Sequence, residues 1–172
     1  MGRDKARLPF RGATLAQSVA RAVAAAAGSA VLVGSPESCG GLGFPGLPDL
    51  YPGEGPLGGI LSALQNTRAD WNLVVACDMP ELSAGFLRRL LEAAGATGAD
   101  VLLPAGPSGR PEPLCAVYHR RCRQALGAAF ASGIRQVTAA FGDLRVVPFP
   151  VAEVTHFQNV NTPEEWAAYG AE

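Results

Sequence analysis

Acidic and amide side chains follow apolar segments at several points of this 172-residue chain. Asp78 comes directly after the apolar segment WNLVVAC, and Asn159 and Asn161 alternate around a valine near the C-terminus. Mg²⁺ is a hard cation that takes one or two protein carboxylates and completes its shell with phosphate oxygens and water. Asp78 is therefore a candidate metal ligand, although an aspartate two residues before Pro80 is equally typical of a turn. The two asparagines suit ligand contacts and helix-start turns equally well.

Phosphate chemistry is indicated by glycines and by charges near the N-terminus. The segment GPLGG, residues 55–59, precedes a predicted helix, where glycines let a ligand approach the backbone N–H groups, or where they only supply loop flexibility. Asp4 and Lys5 stand close to the start of the chain with no apolar strand before them. The formal net charge is −1, so a phosphate must be held by local N–H groups, single cations or a metal. The same charge argues against a nucleic-acid or membrane-surface partner.

The four cysteines favour reduced thiols in a reducing compartment, because none belongs to a C-x-x-C pair. The spacing of Cys115, His119 and Cys122 resembles part of a zinc site, but a structural zinc needs four ligands and no partner pair is present. We therefore predict no metal there. The basic segment HRRCR, residues 119–123, is interpreted as a solvated helix face, and Arg110 as an anion contact or a plain loop charge.

Predicted helices and strands alternate along the chain. Apolar strands are expected at residues 30–34, 71–77, 100–104, 114–118 and 144–149, and helices at residues 15–27, 58–66, 83–94 and 120–131. A further helix start is predicted at Thr162, Pro163 and Glu165. Continuous apolar strands between helices predict a mostly parallel sheet covered on both faces, with ligands outside the carboxyl ends of the strands. The Gly/Pro-rich residues 38–56 are predicted to be a long functional loop.

Several short motifs stand in a fixed order along nearly the whole chain: MGRDKARLPFRGATL, GPLGGILSAL, CDMP, EPLCAVY and NVNTPEEW. In that order they resemble the MobA-like nucleotidyltransferases, and EPLCAVY is closest to the guanylyltransferase branch. The resemblance implies one domain over residues 1–172, with an α/β fold of the nucleotide-diphospho-sugar transferase type. That fold has a Rossmann-like, mostly parallel sheet with helices on both faces.

The resemblance also implies the reaction and the two residues nearest to it. GMP would be transferred from GTP to molybdopterin, with Mg²⁺ as cofactor and pyrophosphate as the leaving group. Lys5 matches the lysine that contacts the nucleotide phosphates, and Asp78 matches the ligand of the metal. The remaining matched residues would contact the nucleotide or the pterin, namely Asp49, Gly59, Asn159 and Asn161. Gly34 stands where some members carry a nucleotide-contacting asparagine.

One part of the family pattern is missing. A first strand and a glycine-rich phosphate loop come before the MG-x-DK motif in the family, whereas this sequence starts at that methionine. We expect Met1 to be an internal methionine of a longer natural protein, and a true truncation is the alternative. Without that strand, residues 30–33 and 73–77 would each lose a hydrogen-bonding neighbour. We therefore expect a central gap in the sheet, or a rearrangement that fills it, and a tendency to aggregate.

Other functions remain open on the sequence. A related transferase that uses CTP on molybdopterin would share these motifs, and so would another MobA-like nucleotidyltransferase that acts on a different phosphorylated metabolite. A third alternative is a truncated, catalytically impaired binding remnant that docks other proteins of molybdenum cofactor biosynthesis without turnover. A cytoplasmic monomer is the default expectation.

Overall fold

Helices and strands alternate along the part of the chain that the computed structural model describes, which is residues 5–152 and residue 157. The helices are α1 Leu15–Ala27, α2 Pro36–Cys39, α3 Pro56–Asn66, α4 Ala84–Thr97 and α5 Cys122–Ala131, with 3-10 turns at Lys5–Arg7 and Thr138–Phe141. The strands are β1 Pro9–Phe10, β2 Ala13–Thr14, β3 Leu32–Gly34, β4 Gly46–Pro48, β5 Trp71–Val75, β6 Val101–Ala105, β7 Cys115–His119 and β8 Val146–Pro150.

The ends of the long helices follow from local hydrogen bonding. Thr14 and Gln17 form a reciprocal capping box at the start of α1, and Gly28 ends that helix with a φ of 81°. The Ser83 hydroxyl accepts the backbone N–H of Phe86 and starts α4. The predicted boundaries of α1 are confirmed, and α4 runs one turn further than predicted.

The main sheet has four strands in the order β5–β7–β6–β8. Strands β6 and β8 pair in parallel, whereas β7 runs antiparallel to both β5 and β6. Strands β5, β6 and β8 therefore share one direction, which confirms the mostly parallel sheet, and β7 alone is reversed within it. The reversal has a simple cause: residues 106–114 join β6 to β7 without a helix, and a parallel crossover needs about a dozen residues or more.

Strands β3 and β4 form a separate parallel pair. Within the described residues, β3 pairs with β4 alone and β5 with β7 alone, so each is an edge strand. The prediction that residues 71–77 form a buried strand is wrong, because all five residues of β5 are half-buried. An edge strand lacks the neighbour that would cover its second side, and Val31, just before β3, is 50% exposed for the same reason.

The core lies in two layers, one on each face of the main sheet. Alternate residues of a strand point to opposite faces, so Val101 and Tyr118 join one layer while Leu102 and Val117 join the other. Helices α3 and α5 cover the first face, with Leu57, Leu61, Leu64, Cys122 and Leu126. Helix α4 covers the second with Phe86, Leu87, Leu90 and Ala94, and α1 packs beside it.

One predicted region differs from the structure, and a second lies outside the described residues. Residues 38–56, predicted as one long loop, contain the end of α2 and the strand β4. The apolar Leu47 is flanked by glycine and proline, which hid this short strand from propensity arguments. The helix start predicted at Thr162, Pro163 and Glu165 lies outside the described residues. Among the described helices, none has the length and apolarity required to cross a membrane.

Candidate active site

Three acidic residues lie near the edge of the sheets where β4 and β5 end. Asp49 follows β4 directly, and Asp78 follows β5 after two residues. Because β7 is reversed, the residues before it lie at the same edge as the residues after β5, and Glu112 is one of them. Asp49 and Asp78 are predicted site residues, whereas Glu112 is not predicted from the sequence.

Asp78 carries an unsatisfied oxygen. The residue is half-buried, its Oδ1 is removed from solvent, and in the described part of the chain no donor reaches this atom. A buried carboxylate oxygen without a partner is costly, on the order of 1–3 kcal/mol or more for a charged group. A bound cation would satisfy it, so the structure fits the expected role of Asp78 as a metal ligand. The backbone two residues before Asp78 is fixed by a hydrogen bond, because the Ala76 N–H donates to the Leu114 carbonyl at 2.7 Å.

Glu112 lies in the turn that starts β7. Its backbone N–H donates to the Pro104 carbonyl at 2.9 Å, and its side chain is 17% exposed. Burial raises the pKa of the Glu112 carboxyl; the positive charge of Arg110 opposes this shift and the negative charge of Asp78 adds to it. The Arg110 Nε is 3.8 Å from Glu112 Oε1, and the arginine side chain is 82% exposed. Arg110 is therefore an ion-pair partner of Glu112 on the outside of the site.

Asp49 belongs to a hydrogen-bonded network with helix α3. Its Oδ1 accepts the backbone N–H of Tyr51 at 3.0 Å and lies 3.0 Å from the Ser62 hydroxyl. Ser62 is fully buried; its oxygen accepts the Leu50 N–H at 2.9 Å, and its single proton is shared between Asp49 and the Gly58 carbonyl. The network fixes the Asp49 side chain near the start of α3. Ser62 is part of this network and is not among the residues predicted from the sequence. A serine on an otherwise apolar helical segment, GGILSAL, was the available signal.

The last two glycines of the GPLGG segment, Gly58 and Gly59, have different surroundings. A Cβ on Gly58 would lie 2.9 Å from the Tyr51 Cβ, so this glycine is required for packing. A Cβ on Gly59 would meet nothing within 4 Å. Helix α3 begins after Gly55 with no side-chain cap. The open space at Gly59 is compatible with its predicted position beside a ligand. Gly58, in contrast, packs closely against Tyr51.

The N-terminal motif is described in part. Lys5 is described by its backbone, in the 3-10 turn Lys5–Arg7, and Asp4 lies outside the described residues, as do Asn159 and Asn161. The Arg7 guanidinium donates to the carbonyls of Glu37 and of Gly40, the latter at 2.7 Å. This contact anchors the turn that carries Lys5 to the end of α2.

Of the residues considered for zinc, Cys115 and His119 are the first and last residues of β7, and Cys122 begins α5. Residues 5–152 and 157 contain no group of three or more His, Cys, Asp or Glu side chains placed to hold a metal ion. Burial raises the pKa of the Cys115 and Cys122 thiols to about 12, so both stay protonated. Within the basic segment HRRCR, Arg120 pairs with Asp70 and Arg121 with Asp100. These pairs give the segment a structural role.

Comparison with known proteins identifies a common family. Residues 1–145 match the family described as MobA-like NTP transferase domain. A Clostridium perfringens protein named probable molybdenum cofactor guanylyltransferase is 34% identical over 130 residues, which cover 69% of this chain and 63% of that relative. A Nostoc protein of the same name is 32% identical over 180 aligned positions and covers 100% of this chain and 85% of the relative. The chain thus spans about two thirds of the first relative and most of the second.

A solved structure has the same fold. Molybdopterin-guanine dinucleotide biosynthesis protein A from Archaeoglobus fulgidus superposes with a TM-score of 0.81 at 27% identity, covering 98% of this chain and 89% of that one. The expected α/β fold of the nucleotide-diphospho-sugar transferase type is confirmed by this likeness.

Proposed function

The chain belongs to the MobA-like NTP transferase domain family, and on that premise we propose that it transfers GMP from GTP to molybdopterin with release of pyrophosphate. The names of the relatives support this activity over the cytidylyltransferase and binding-remnant alternatives. The structural observation that carries the proposal is Asp78, whose buried and unpaired Oδ1 stands at the carboxyl edge of the sheet. Ligands of α/β sheets bind at this edge.

The reaction joins two anions. A terminal phosphate oxygen of molybdopterin forms a bond to the α-phosphorus of GTP, while the bond from that phosphorus to the β-phosphate bridging oxygen breaks. The departing pyrophosphate takes the electron pair. Because both partners are negatively charged, the protein must hold them in line and neutralise charge, with little covalent chemistry of its own.

Asp78 would hold the Mg²⁺ ion that this chemistry needs. When bound, the cation neutralises phosphate charge and orients the α-phosphate. We propose that Lys5 contacts the nucleotide phosphates, since a lysine ammonium is a compact point charge suited to phosphate. Arg7 supports that role by anchoring the turn to the backbone of α2.

The nucleotide and pterin positions are assigned as follows. We propose that Asp49 binds the nucleotide through Oδ2, because Oδ1 already faces the Tyr51 N–H and the Ser62 hydroxyl. Gly59 provides an open approach to α3. Asn159 and Asn161 are proposed for the pterin side of the site. We propose that residues 1–172 form one MobA-like domain that works as a cytoplasmic monomer, alongside other proteins of molybdenum cofactor biosynthesis.

The proposal is tested by incubating the protein with molybdopterin, Mg²⁺ and GTP, CTP or ATP in turn. We expect pyrophosphate and the guanine dinucleotide product with GTP, and much slower turnover with the other two nucleotides. Product formation that favours CTP would contradict the guanylyltransferase assignment, and binding of GTP without any pyrophosphate release would favour a non-catalytic role.

Replacing Asp78 by asparagine should lower kcat by about 100-fold or more, because the cation loses its charged ligand while the shape of the side chain is kept. The thermal unfolding temperature should not fall. Asp143→Asn, at an exposed position, is the matched control and should retain full turnover. Normal turnover by the Asp78 variant would remove it from the metal site.

A further inference from the structure

Glu112 and Asp78 lie at the same end of the β5–β7 ladder, Asp78 after β5 and Glu112 before β7. The register pairs Val75 with Cys115, and the hydrogen bond from Ala76 to Leu114 carries the ladder one step beyond the strand. Asp78 follows Ala76 by two residues and Glu112 precedes Leu114 by two, so both carboxylates belong to the segments that meet at this hydrogen bond. The turn that holds Glu112 is fixed at both ends, because its N–H donates to Pro104 and its carbonyl accepts the Cys115 N–H at 3.0 Å.

Both carboxylates are partly buried at this end of the ladder. The Glu112 side chain is 17% exposed, and the negative charge of Asp78 adds to the rise in its pKa that burial causes. Asp78 Oδ1 is buried without a donor among the described residues. Arg110 compensates little, because an ion pair of 3.8 Å with an arginine that is 82% exposed is screened by water. Two close negative charges around an orphaned oxygen are a favourable place for a divalent cation.

We propose that Glu112 is the second carboxylate ligand of the divalent cation held by Asp78. The inference rests on the proposed function for the identity of the cation, and it adds a ligand from the opposing strand. Mg²⁺ and Mn²⁺ sites built from two carboxylates leave the remaining positions to water and phosphate oxygens. With two negative ligands, this chain binds the cation before the nucleotide arrives.

The test is a titration of the nucleotide-free protein with Mn²⁺. Electron paramagnetic resonance measures the concentration of unbound Mn²⁺ at each point and so gives the dissociation constant. Glu112→Gln should weaken Mn²⁺ binding by about tenfold or more. Glu92→Gln, on the exposed side of α4, removes the same charge and should bind like the unmodified protein. Glu112→Asp keeps the charge and should bind more tightly than Glu112→Gln. Circular dichroism and thermal unfolding would show that each variant is folded.

The outcomes separate this inference from the proposed function. If Asp78→Asn loses Mn²⁺ while Glu112→Gln binds it normally, Glu112 is no ligand and pairs with Arg110 alone. If both variants lose Mn²⁺ and the unmodified protein transfers no GMP, the shared cation site stands and the proposed reaction fails. Equal binding by Glu112→Gln and Glu92→Gln overturns the inference whatever the activity.

Discussion

Ser62 joins helix α3 to the segment after β4 through one hydroxyl. It is fully buried, accepts the N–H of Leu50, and offers its proton to Asp49 and to the Gly58 carbonyl. A buried hydroxyl is tolerated in a core when its donor and acceptor positions are used. Through this contact the position of Asp49, the proposed nucleotide ligand, depends on a residue within the core side of α3.

Ser62→Ala should destabilise the protein by about 1–2 kcal/mol, because the Leu50 N–H loses its acceptor and Asp49 Oδ1 loses one of its two donors. Under the proposed function, KM for GTP should rise more than kcat falls, since Asp49 keeps only the Tyr51 N–H of these two donors to orient it. Urea unfolding and steady-state kinetics measure the two effects. Ser108→Ala, in the exposed turn before β7, is the control. If Ser62→Ala matched the control in both measurements, the network would have no role in binding.

The site residues differ in how visible they are in the sequence. Asp78 could be predicted because it directly follows an apolar run, and in a parallel sheet that position faces the ligand edge. Glu112 was missed because it precedes a strand, and a residue before a strand reaches the ligand edge only when that strand is reversed. The signal was the short connection 106–114. Asp49 was found through the family resemblance, whereas its partner Ser62 depends on a contact between residues 13 positions apart.

At the scale of elements, Asp100 ties together the starts of β6, α5 and β8. Its Oδ1 pairs with Arg121, just before α5, and its Oδ2 accepts the backbone N–H of Arg145 at 2.8 Å. Burial acts to raise the pKa of Asp100, but the hydrogen bonds from Arg121 and Arg145 outweigh it and hold the pKa below its ordinary 3.8. The ionised carboxylate therefore stabilises the junction.

Asp100→Asn should lower the free energy of unfolding by about 1–2 kcal/mol near neutral pH. A depressed pKa means that the contribution is complete above pH 3.8 and is lost as the pH falls below it, so the difference should shrink in stronger acid. Urea unfolding on either side of that pH provides the test. Asp70→Asn breaks an exposed pair with Arg120 and should change stability far less. A pH-independent loss for Asp100→Asn would mean that shape, not charge, stabilises the junction.

Helix ends could be predicted from neighbouring residues, whereas strand pairing could not. The cap residues Ser83 and Gly28 specified helix ends, because a hydroxyl acceptor or a left-handed glycine acts within one turn. The direction of β7 and the existence of β4 depend on pairing with distant segments. The alternation of apolar residues is the same for parallel and antiparallel neighbours, so sequence pattern alone could not supply them.

At the scale of the whole molecule, the described strands β3 to β8 form two separate sheets, with no pairing between β3 and β5. Strand β5 therefore has an open side, which is the side that faces away from β7. Asp70 accepts from the Arg120 N–H, and the Ala76 N–H donates to Leu114, each at 2.7 Å. Successive residues of a strand direct their backbone groups to alternate sides. The even-numbered residues of β5 therefore bond to β7, and the odd-numbered ones face away from it.

Amide hydrogen exchange should reveal this alternation. We expect the N–H groups of Asn72 and Val74 to be protected about 100-fold or more above those of Leu73 and Val75, because the latter pair lies on the open side. Residue-resolved exchange by nuclear magnetic resonance measures the ratio. Uniform protection along β5 would show that the open side is covered in solution.

The divided sheet also bears on the cooperativity of unfolding. No strand ladder among the described residues joins the β3–β4 pair to the four-stranded sheet, and helix α3 contacts both of them. Such a pair can open locally while β5–β8 stay intact. A single free energy of unfolding then describes the larger sheet alone, and denaturation followed at Trp71 would report a more stable protein than denaturation followed at β3.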